Sequence, residues 1–277
     1  MQGYLAKDVA IQNYAMKNSI GRIIGVLHIP ALPGSPRNQF PLHSIIDWVL
    51  KDADALANGG VDAFILENFG DMPFYPHRVP PHTVAFMTAI GREVRRSFNQ
   101  TLGINVLRND AQSAIAVAAA VSAEFIRVNI HTGARVTDQG LIEGTAHDTL
   151  RYRRLLSSDL KILADVDVKH SAPVARRPLQ EDVEEIISRG GADAVIVTGA
   201  ATGMETAFED LRLAKEAASP APVFAGSGVN AENVARVLEM ADGVIVGTSL
   251  KRDGITTNAV DGQRVRALVD IVHKLRL

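Results

Sequence analysis

The chain alternates eight short apolar runs with longer segments of helical periodicity, and this alternation constrains its fold more than any other feature. The apolar runs are RIIGVLHI from Arg22, AFILENF from Ala63, LGINVLRN from Leu102, FIRVNI from Phe125, KILADVDVK from Lys161, AVIVTG from Ala194, VFAGSGV from Val223 and GVIVGTSL from Gly243. Regular alternation of strand and helix patterns indicates parallel strands joined by helical crossovers. Eight such units in about 250 residues predict a closed α/β barrel of the (β/α)8 or TIM type.

An open, doubly wound sheet is the alternative arrangement for such a pattern. That fold favours a G-x-G-x-x-G turn after the first strand. Here the first strand continues instead into HIPALPGSP, which favours the barrel. Because the 277 residues contain no linker or low-complexity tract, we expect one barrel domain over residues 21–277. Residues 1–20 are predicted to be an N-terminal extension that caps the barrel bottom or contributes to a dimer.

Composition excludes several classes of protein. The absence of cysteine rules out disulfides and thiolate metal sites. Nucleic-acid-binding proteins usually carry a strongly basic face, and the net charge of −2 gives no indication of one. No apolar run reaches the roughly 18 residues that span a bilayer, and the N-terminus lacks the apolar core of a secretory signal. We therefore expect a soluble, cytoplasmic protein without nucleic-acid partners, and a homo-oligomer because barrels commonly form dimers.

Polar side chains concentrate at the carboxyl ends of the first five predicted strands, whereas the opposite strand ends are apolar. In a barrel, those carboxyl ends open into the loops that carry the active site. In KILADVDVKH, Asp165, Asp167 and Lys169 alternate, so we expect them to point the same way into the barrel mouth. The candidate catalytic residues are Lys169, Asp167, Asp165, His28, Glu67, Arg108 and Asn129.

A lysine in this setting is a candidate proton donor, phosphate or carboxylate clamp, or Schiff-base nucleophile. A neighbouring carboxylate such as Asp167 would keep Lys169 protonated, which favours the acid or the clamp. The alternative is a buried ion network that only fills the barrel. Burying such charges is costly and often gains no net stability, so packing alone explains the cluster poorly.

The last two predicted strands end in small residues and hydroxyls, where barrels often bind phosphate. The predicted phosphate-binding residues are Gly226, Ser227, Gly228, Gly247, Thr248 and Ser249. Asn230 is a candidate N-cap of the next helix, and Lys251 and Arg252 would add positive charge. TGAATG at 198–203 is a third turn of small residues. The alternative is that these glycines merely let the chain turn.

Three long loops complete the predicted carboxyl face. Two are proline-rich, at 30–43 and 70–82, and are candidates for lids or partner surfaces. The third, at 131–148, is predicted to be polar and solvated, with the alternative that Arg135, Asp138, Gln139 and Glu143 reach the barrel mouth. His28, Glu67, Asn68 and Asp71 could form a hard-metal site, but no tight spacing supports one. We therefore predict neither a metal nor another cofactor.

Several blocks of the sequence together resemble the BtpA family, over about residues 22–254. They include GVLHIPALPGSP, GGVDAFILENFGDMPF, GINVLRNDAQSAIAVAA, FIRVNIHTGARVTDQGLIEG, ADVDVKH, FAGSGVN and ADGVIVGTSLKRDG. The resemblance implies a barrel related to a cyanobacterial factor for photosystem I accumulation that associates peripherally with the thylakoid membrane. It also implies relatives in non-photosynthetic organisms that are treated as barrel enzymes of unknown substrate. The family brings no settled catalytic residues, so the candidates above come from the strand ends.

The residues favour an enzyme that acts on a small phosphorylated, sugar-like molecule by isomerisation, aldol cleavage or decarboxylation. Oxyanion stabilisation and positioned acid–base groups serve all three reactions. The alternative, implied by the resemblance, is a non-catalytic factor for photosystem I biogenesis with peripheral membrane association. A nucleotide-hydrolysing role is disfavoured because the chain contains no G-x-x-x-x-G-K-[ST] motif.

Overall fold

A closed barrel of eight parallel strands forms the centre of the molecule. The structure, a computed structural model, describes residues 20–156, 159–199 and 208–275. The barrel strands are β1 (Ile23–His28), β2 (Ala63–Glu67), β3 (Thr101–Asn105), β4 (Phe125–Val128), β7 (Lys161–Val166), β9 (Ala194–Val197), β10 (Val223–Ala225) and β11 (Gly243–Val246). They pair in the order β1-β11-β10-β9-β7-β4-β3-β2. The predicted barrel is therefore confirmed, and the open sheet is excluded because β1 pairs with both β2 and β11.

Helices surround this barrel and connect its strands. They are α1 (Leu42–Gly59), α2 (Pro81–Ser97), α3 (Ala111–Val121), α4 (Ala146–Leu156), α5 (Leu179–Ser188), α6 (Phe208–Ala218), α7 (Val234–Val237) and α8 (Gly262–Lys274). Their ends follow ordinary capping chemistry. α1 stops at Gly60, whose φ of 91° is the left-handed conformation that glycine adopts freely. α3 begins after Asp110, whose carboxylate accepts from Ser113 N at 3.0 Å.

Alternation along the strands separates an outer core from an inner one. In β1, Ile23 and Leu27 pack outward against the helices, whereas Ile24 and Val26 point into the barrel. Phe125, Leu163, Ile196, Phe224 and Ile245 are also buried in the inner core. Because side chains alternate, His28, two residues beyond Val26, also points inward at the carboxyl end. Apolar side chains therefore fill the amino-terminal part of the barrel interior, and polar side chains line its carboxyl end.

A second, smaller sheet covers part of the carboxyl end. β5 (Ala134–Thr137) pairs antiparallel with β6 (Gly140–Glu143) and with β8 (Ser171–Pro173). The expected loop at 131–148 therefore contains a β-hairpin, although Asp138 and Glu143 are exposed as expected. Ile142 is fully buried with Ile130 and Val168, which anchors the hairpin to the barrel. Gly140, at φ 96°, provides the turn.

The predicted N-terminal extension falls almost entirely outside the described residues, as does most of the turn at 198–203. In the part of the chain that the structure describes, no helix is long and apolar enough to cross a membrane.

Candidate active site

A cavity of about 460 Å³ opens at the carboxyl end of the barrel. Ligand-binding pockets commonly have volumes of about 300–1,000 Å³. Its walls carry His28, Glu67, Arg127 and Lys169 on one side and the loops after β10 and β11 on the other. Those loops contribute all six predicted phosphate-binding residues, namely Gly226, Ser227, Gly228, Gly247, Thr248 and Ser249. One cavity thus joins titratable groups to small-residue loops.

A buried ion pair lies beneath the titratable groups. Arg127 Nε and Nη2 donate to the two carboxylate oxygens of Asp165 at 2.8 and 2.9 Å. Asn129 Nδ2 also donates to Asp165 at 3.1 Å, and Asn105 Nδ2 donates to Asn129 Oδ1 at 3.1 Å. This bidentate geometry is the strong form of an arginine–carboxylate pair. Asp165 is therefore committed to Arg127, and Arg127 brings positive charge to the cavity floor.

Lys169 lies just beyond the end of β7 and lines the cavity. Two hydrogen bonds hold its backbone: Arg108 Nη2 donates to Lys169 O at 2.6 Å, and Lys169 N donates to Thr198 Oγ1 at 3.1 Å. Among the residues that the structure describes, Lys169 Nζ has no hydrogen-bond partner. Burial lowers the pKa of Lys169 below the ordinary lysine value, and Arg127 lowers it further, against the opposing effect of Glu67.

His28 and Glu67 reach the same cavity from neighbouring strands, where they are register partners. Burial lowers the pKa of His28 well below its ordinary value, with additional lowering by Lys251, Lys169 and Arg127. The imidazole is therefore neutral near pH 7. Its Nδ1 atom is buried without a partner, and its ring lies 4.8 Å from the Phe69 ring. The Glu67 carboxylate likewise has no hydrogen-bond partner among the described residues.

The two small-residue loops are tied together and pass close to His28. Ser249 Oγ donates to Val229 O at 2.6 Å, linking the loop after β11 to the loop after β10. A Cβ atom at Gly247 would lie 2.7 Å from His28 Cε1, so the backbone approaches the imidazole as only glycine permits. Gly228 has a φ of 69°, also in the region that favours glycine. Two of these glycines therefore have conformational or packing roles as well.

The structure separates Asp167 from Lys169, contrary to the expected alternation. β7 ends at Val166, and Asp167 adopts a φ of 50°, so the strand periodicity does not continue past it. The Asp167 carboxylate pairs with Arg135 of the small sheet. It lines a separate cavity of about 190 Å³, which Asn129 and Asp165 also line. Of Asp165, Asp167 and Lys169, only Lys169 lines the cavity of about 460 Å³, which is the main cavity of the barrel mouth.

One prediction about the phosphate end also needs correction. Lys251 is buried and binds Asp52 at 2.6 Å, so it adds no free positive charge to the loops. Asn230 makes the capping contacts that were predicted, because its Oδ1 accepts from Glu232 N and Asn233 N and its carbonyl oxygen accepts from Val234 N at the start of the short α7. Arg264 of α8, which no local pattern singles out, does line the cavity.

Asn68 and Asp71, which were considered as metal ligands, make structural contacts instead. Asn68 Nδ2 donates to Asp71 at 3.0 Å, and the other Asp71 oxygen accepts from Leu32 N at 2.8 Å. Burial raises the pKa of Asp71. Over residues 20–156, 159–199 and 208–275, no three His, Asp or Glu side chains are grouped so that they could hold a metal ion.

The fold and cavity define a class, that of single barrels whose polar carboxyl end faces two small-residue loops. The particular family follows from the sequence, because the BtpA family model matches residues 20–274, so the chain belongs to the BtpA family. It is 50% identical over 248 residues to the photosystem I biogenesis protein BtpA of Synechocystis sp., covering 90% of this chain and 86% of that protein. It is 49% identical to an uncharacterised protein of Archaeoglobus fulgidus, covering 89% and 96% of the two chains.

Solved structures of similar architecture include enzymes. An N-(5'-phosphoribosyl)anthranilate isomerase from Pyrococcus furiosus superposes with a TM-score of 0.56 at 14% identity, covering 91% of this chain and 98% of that one. KGPDC from Streptococcus mutans gives a TM-score of 0.58 at 11% identity, covering 93% and 100%. At such identities the likeness establishes the fold and leaves the chemistry open.

Proposed function

We propose that this BtpA-family protein is an enzyme that acts on a small phosphorylated, sugar-like molecule. The observation that carries the proposal is the single cavity in which Lys169, Glu67 and His28 face the loops after β10 and β11. The loops would hold the phosphate through backbone N–H groups and the hydroxyl of Thr248, with Arg264 adding charge at the rim. The carbon skeleton would then extend toward Lys169.

Each titratable group has a distinct part in this proposal. Neutral His28 can polarise a substrate oxygen by donating a hydrogen bond from its ring N–H without adding charge. Glu67, buried and without a hydrogen-bond partner among the described residues, is a candidate general base or acid. The Arg127–Asp165 ion pair forms the floor of the cavity and provides a fixed electrostatic field there. Such a set suits an isomerase or a lyase, in which a proton moves and negative charge develops on oxygen.

A phosphate titration tests the proposal. Thermal unfolding of the purified chain would be followed with inorganic phosphate and with sugar phosphates. A ligand at about 100 times its Kd should add about 2.7 kcal/mol, or roughly 5 °C for a domain of this size. In Gly228→Asp the added carboxylate should remove the rise, because it places negative charge at the φ 69° turn of the proposed phosphate loop.

Gly133→Asp is the matched control, since Gly133 has a nearly identical φ of 68° and lies in the small sheet region away from the main cavity. Gly133→Asp introduces the same backbone strain and the same new charge. Its melting temperature should still rise when phosphate is added. A flat response of the folded wild-type protein across the panel, or an equal loss in both variants, would contradict phosphate binding at these loops.

A non-catalytic role in photosystem I biogenesis is the second candidate, and the name of the Synechocystis relative is what favours it. The two candidates separate genetically. In a Synechocystis strain that lacks its own relative but carries this chain, a purely structural factor should restore photosystem I equally well with Lys169→Met. An enzyme should fail to do so with that variant present at wild-type abundance.

A further inference from the structure

We propose that Lys169 is the nucleophile of this cavity, and that its amine forms an imine with the aldehyde or ketone carbon of the phosphorylated substrate. The inference rests on the proposed function, because the phosphate-binding loops would present that carbonyl group to Lys169. It narrows the substrate class to phosphorylated carbonyl compounds.

The first support is that both carboxylates near Lys169 in the sequence are engaged elsewhere. Asp165 is held by Arg127 through two hydrogen bonds, and Asp167 pairs with Arg135 beside the separate cavity. Asp167 was the carboxylate expected to keep Lys169 protonated, and the structure pairs it with Arg135 instead. Lys169 Nζ has no hydrogen-bond partner among the described residues, so its lone pair is available when the amine is neutral.

Burial and two neighbouring cations lower the pKa of Lys169, and two carboxylates raise it. Burial is the largest influence that lowers its pKa, followed by the Arg127 guanidinium, with Arg108 lowering it as well. Glu67 and Asp165 oppose this, and the neighbouring His28 is neutral near pH 7. Desolvation next to other cations is the known means by which proteins obtain a nucleophilic lysine.

The backbone at Lys169 is held firmly enough to direct the amine. Arg108 donates to the Lys169 carbonyl at 2.6 Å, and Thr198 accepts from its N–H at 3.1 Å. The side chain shares the cavity with Gly228 and Thr248 of the proposed phosphate loops. A molecule whose phosphate is held at those loops would have its other end within the same cavity of about 460 Å³.

The step balances without any additional reactant. Lys169 first gives a proton to the Glu67 carboxylate. The neutral Nζ then forms a bond to the carbonyl carbon, and the C=O π electrons move to oxygen, which receives that proton from Glu67. The nitrogen then loses a proton to the Glu67 carboxylate, giving a neutral carbinolamine. When the hydroxyl takes the proton from Glu67 and departs as water, an iminium ion remains. That ion can accept the electrons released by C–C cleavage or by removal of an α-proton.

Reductive trapping tests the inference. The full chain would be incubated at pH 7.5 with pyridoxal 5'-phosphate or with glycolaldehyde, reduced with borohydride, and mapped by peptide mass spectrometry. We expect Lys169 to be modified at least about tenfold faster than exposed Lys51, which serves as the internal control. Inorganic phosphate should slow the reaction of pyridoxal 5'-phosphate at Lys169. Lys169→Arg should leave no adduct at that position, while the phosphate-dependent thermal shift persists.

The outcomes separate this inference from the proposed function. A phosphate-dependent thermal shift together with Lys169 modified no faster than Lys51 by either aldehyde would overturn the imine and leave the phosphate site standing. Rapid modification of Lys169 by both aldehydes, without any phosphate protection or thermal shift, would support the nucleophile and overturn the phosphate-binding loops.

Discussion

Lys169 and Lys251 both follow barrel strands closely, and burial lowers the pKa of each, yet their surroundings differ in one decisive respect. Lys251 binds Asp52 of α1 at 2.6 Å, whereas Lys169 Nζ has no hydrogen-bond partner among the described residues. Asp52 also accepts from Val260 N at 2.8 Å. The Lys251 pair therefore fastens the last unit of the barrel to its first helix. The pair with Asp52 gives Lys251 a structural role, whereas Lys169, which lines the cavity without such a partner among the described residues, is the lysine that we propose for chemistry.

Breaking the Lys251 pair should have the largest effect on stability. Asp52→Asn leaves the Lys251 charge buried without a counter-charge, which typically costs about 3–5 kcal/mol. The melting temperature should fall by at least about 6 °C. Guanidinium unfolding measures the change, and Asp54→Asn is the control because Asp54 is exposed on the same helix.

The double variant Asp52→Leu with Lys251→Met tests whether the loss of stability comes from an unpaired buried charge. It removes both charges, so most of the lost stability should return. If Asp52→Asn costs no more than Asp54→Asn, the pair is not the fastening that the structure indicates, and the contrast between the two lysines disappears.

An acid transition is the next largest expected effect, and His28 lies in the field of both lysines. Its pKa in the folded protein is depressed, so below about pH 6.5 the unfolded chain binds a proton that the folded chain does not. The free energy of unfolding should therefore fall as the pH drops below 6.5, by up to about 1.4 kcal/mol per pH unit, and the loss should end near the folded pKa. Denaturant unfolding at pH 7.5, 6.5 and 5.5 measures this slope.

Variants test whether His28 causes this pH dependence of the free energy of unfolding. His131 contributes in the same direction, since burial lowers its pKa as well. His28→Leu should therefore reduce the slope without abolishing it, whereas His147→Gln at an exposed position should leave it unchanged. Lys169→Met should also reduce the slope, because it removes one of the charges that depress the pKa of His28. A slope that is identical in wild type and His28→Leu would rule out His28 as its source.

Strand periodicity and an apolar lower core were enough to predict the barrel and the inward positions of His28 and Glu67. The same rule failed for Asp167 because it lies beyond the last residue of β7 with a positive φ, where alternation no longer applies. Lys251 was assigned to the phosphate loops because its partner is distant in sequence. A signal did exist: Asp52 interrupts the buried face of α1 among Val49, Ala53 and Leu56. Arg264 reaches the cavity from α8, and no local pattern marks it.

The smallest expected effect on stability belongs to Lys169→Met, which completes the comparison of the two lysines. Lys169 is partly buried, and its Nζ makes no hydrogen bond to a described residue, so its removal leaves none of them without a hydrogen-bond partner and the free energy of unfolding should change by less than about 1 kcal/mol. Lys161→Met, at the first residue of β7, is the matched control and loses only a partly exposed ion pair with Asp193, worth at most about 1 kcal/mol. Both variants should melt near the wild-type temperature, while only Lys169→Met loses the aldehyde adduct at residue 169. A loss of 3 kcal/mol or more in Lys169→Met would show that Lys169, like Lys251, is a structural residue, because only a lysine that the fold depends on could be so costly to replace.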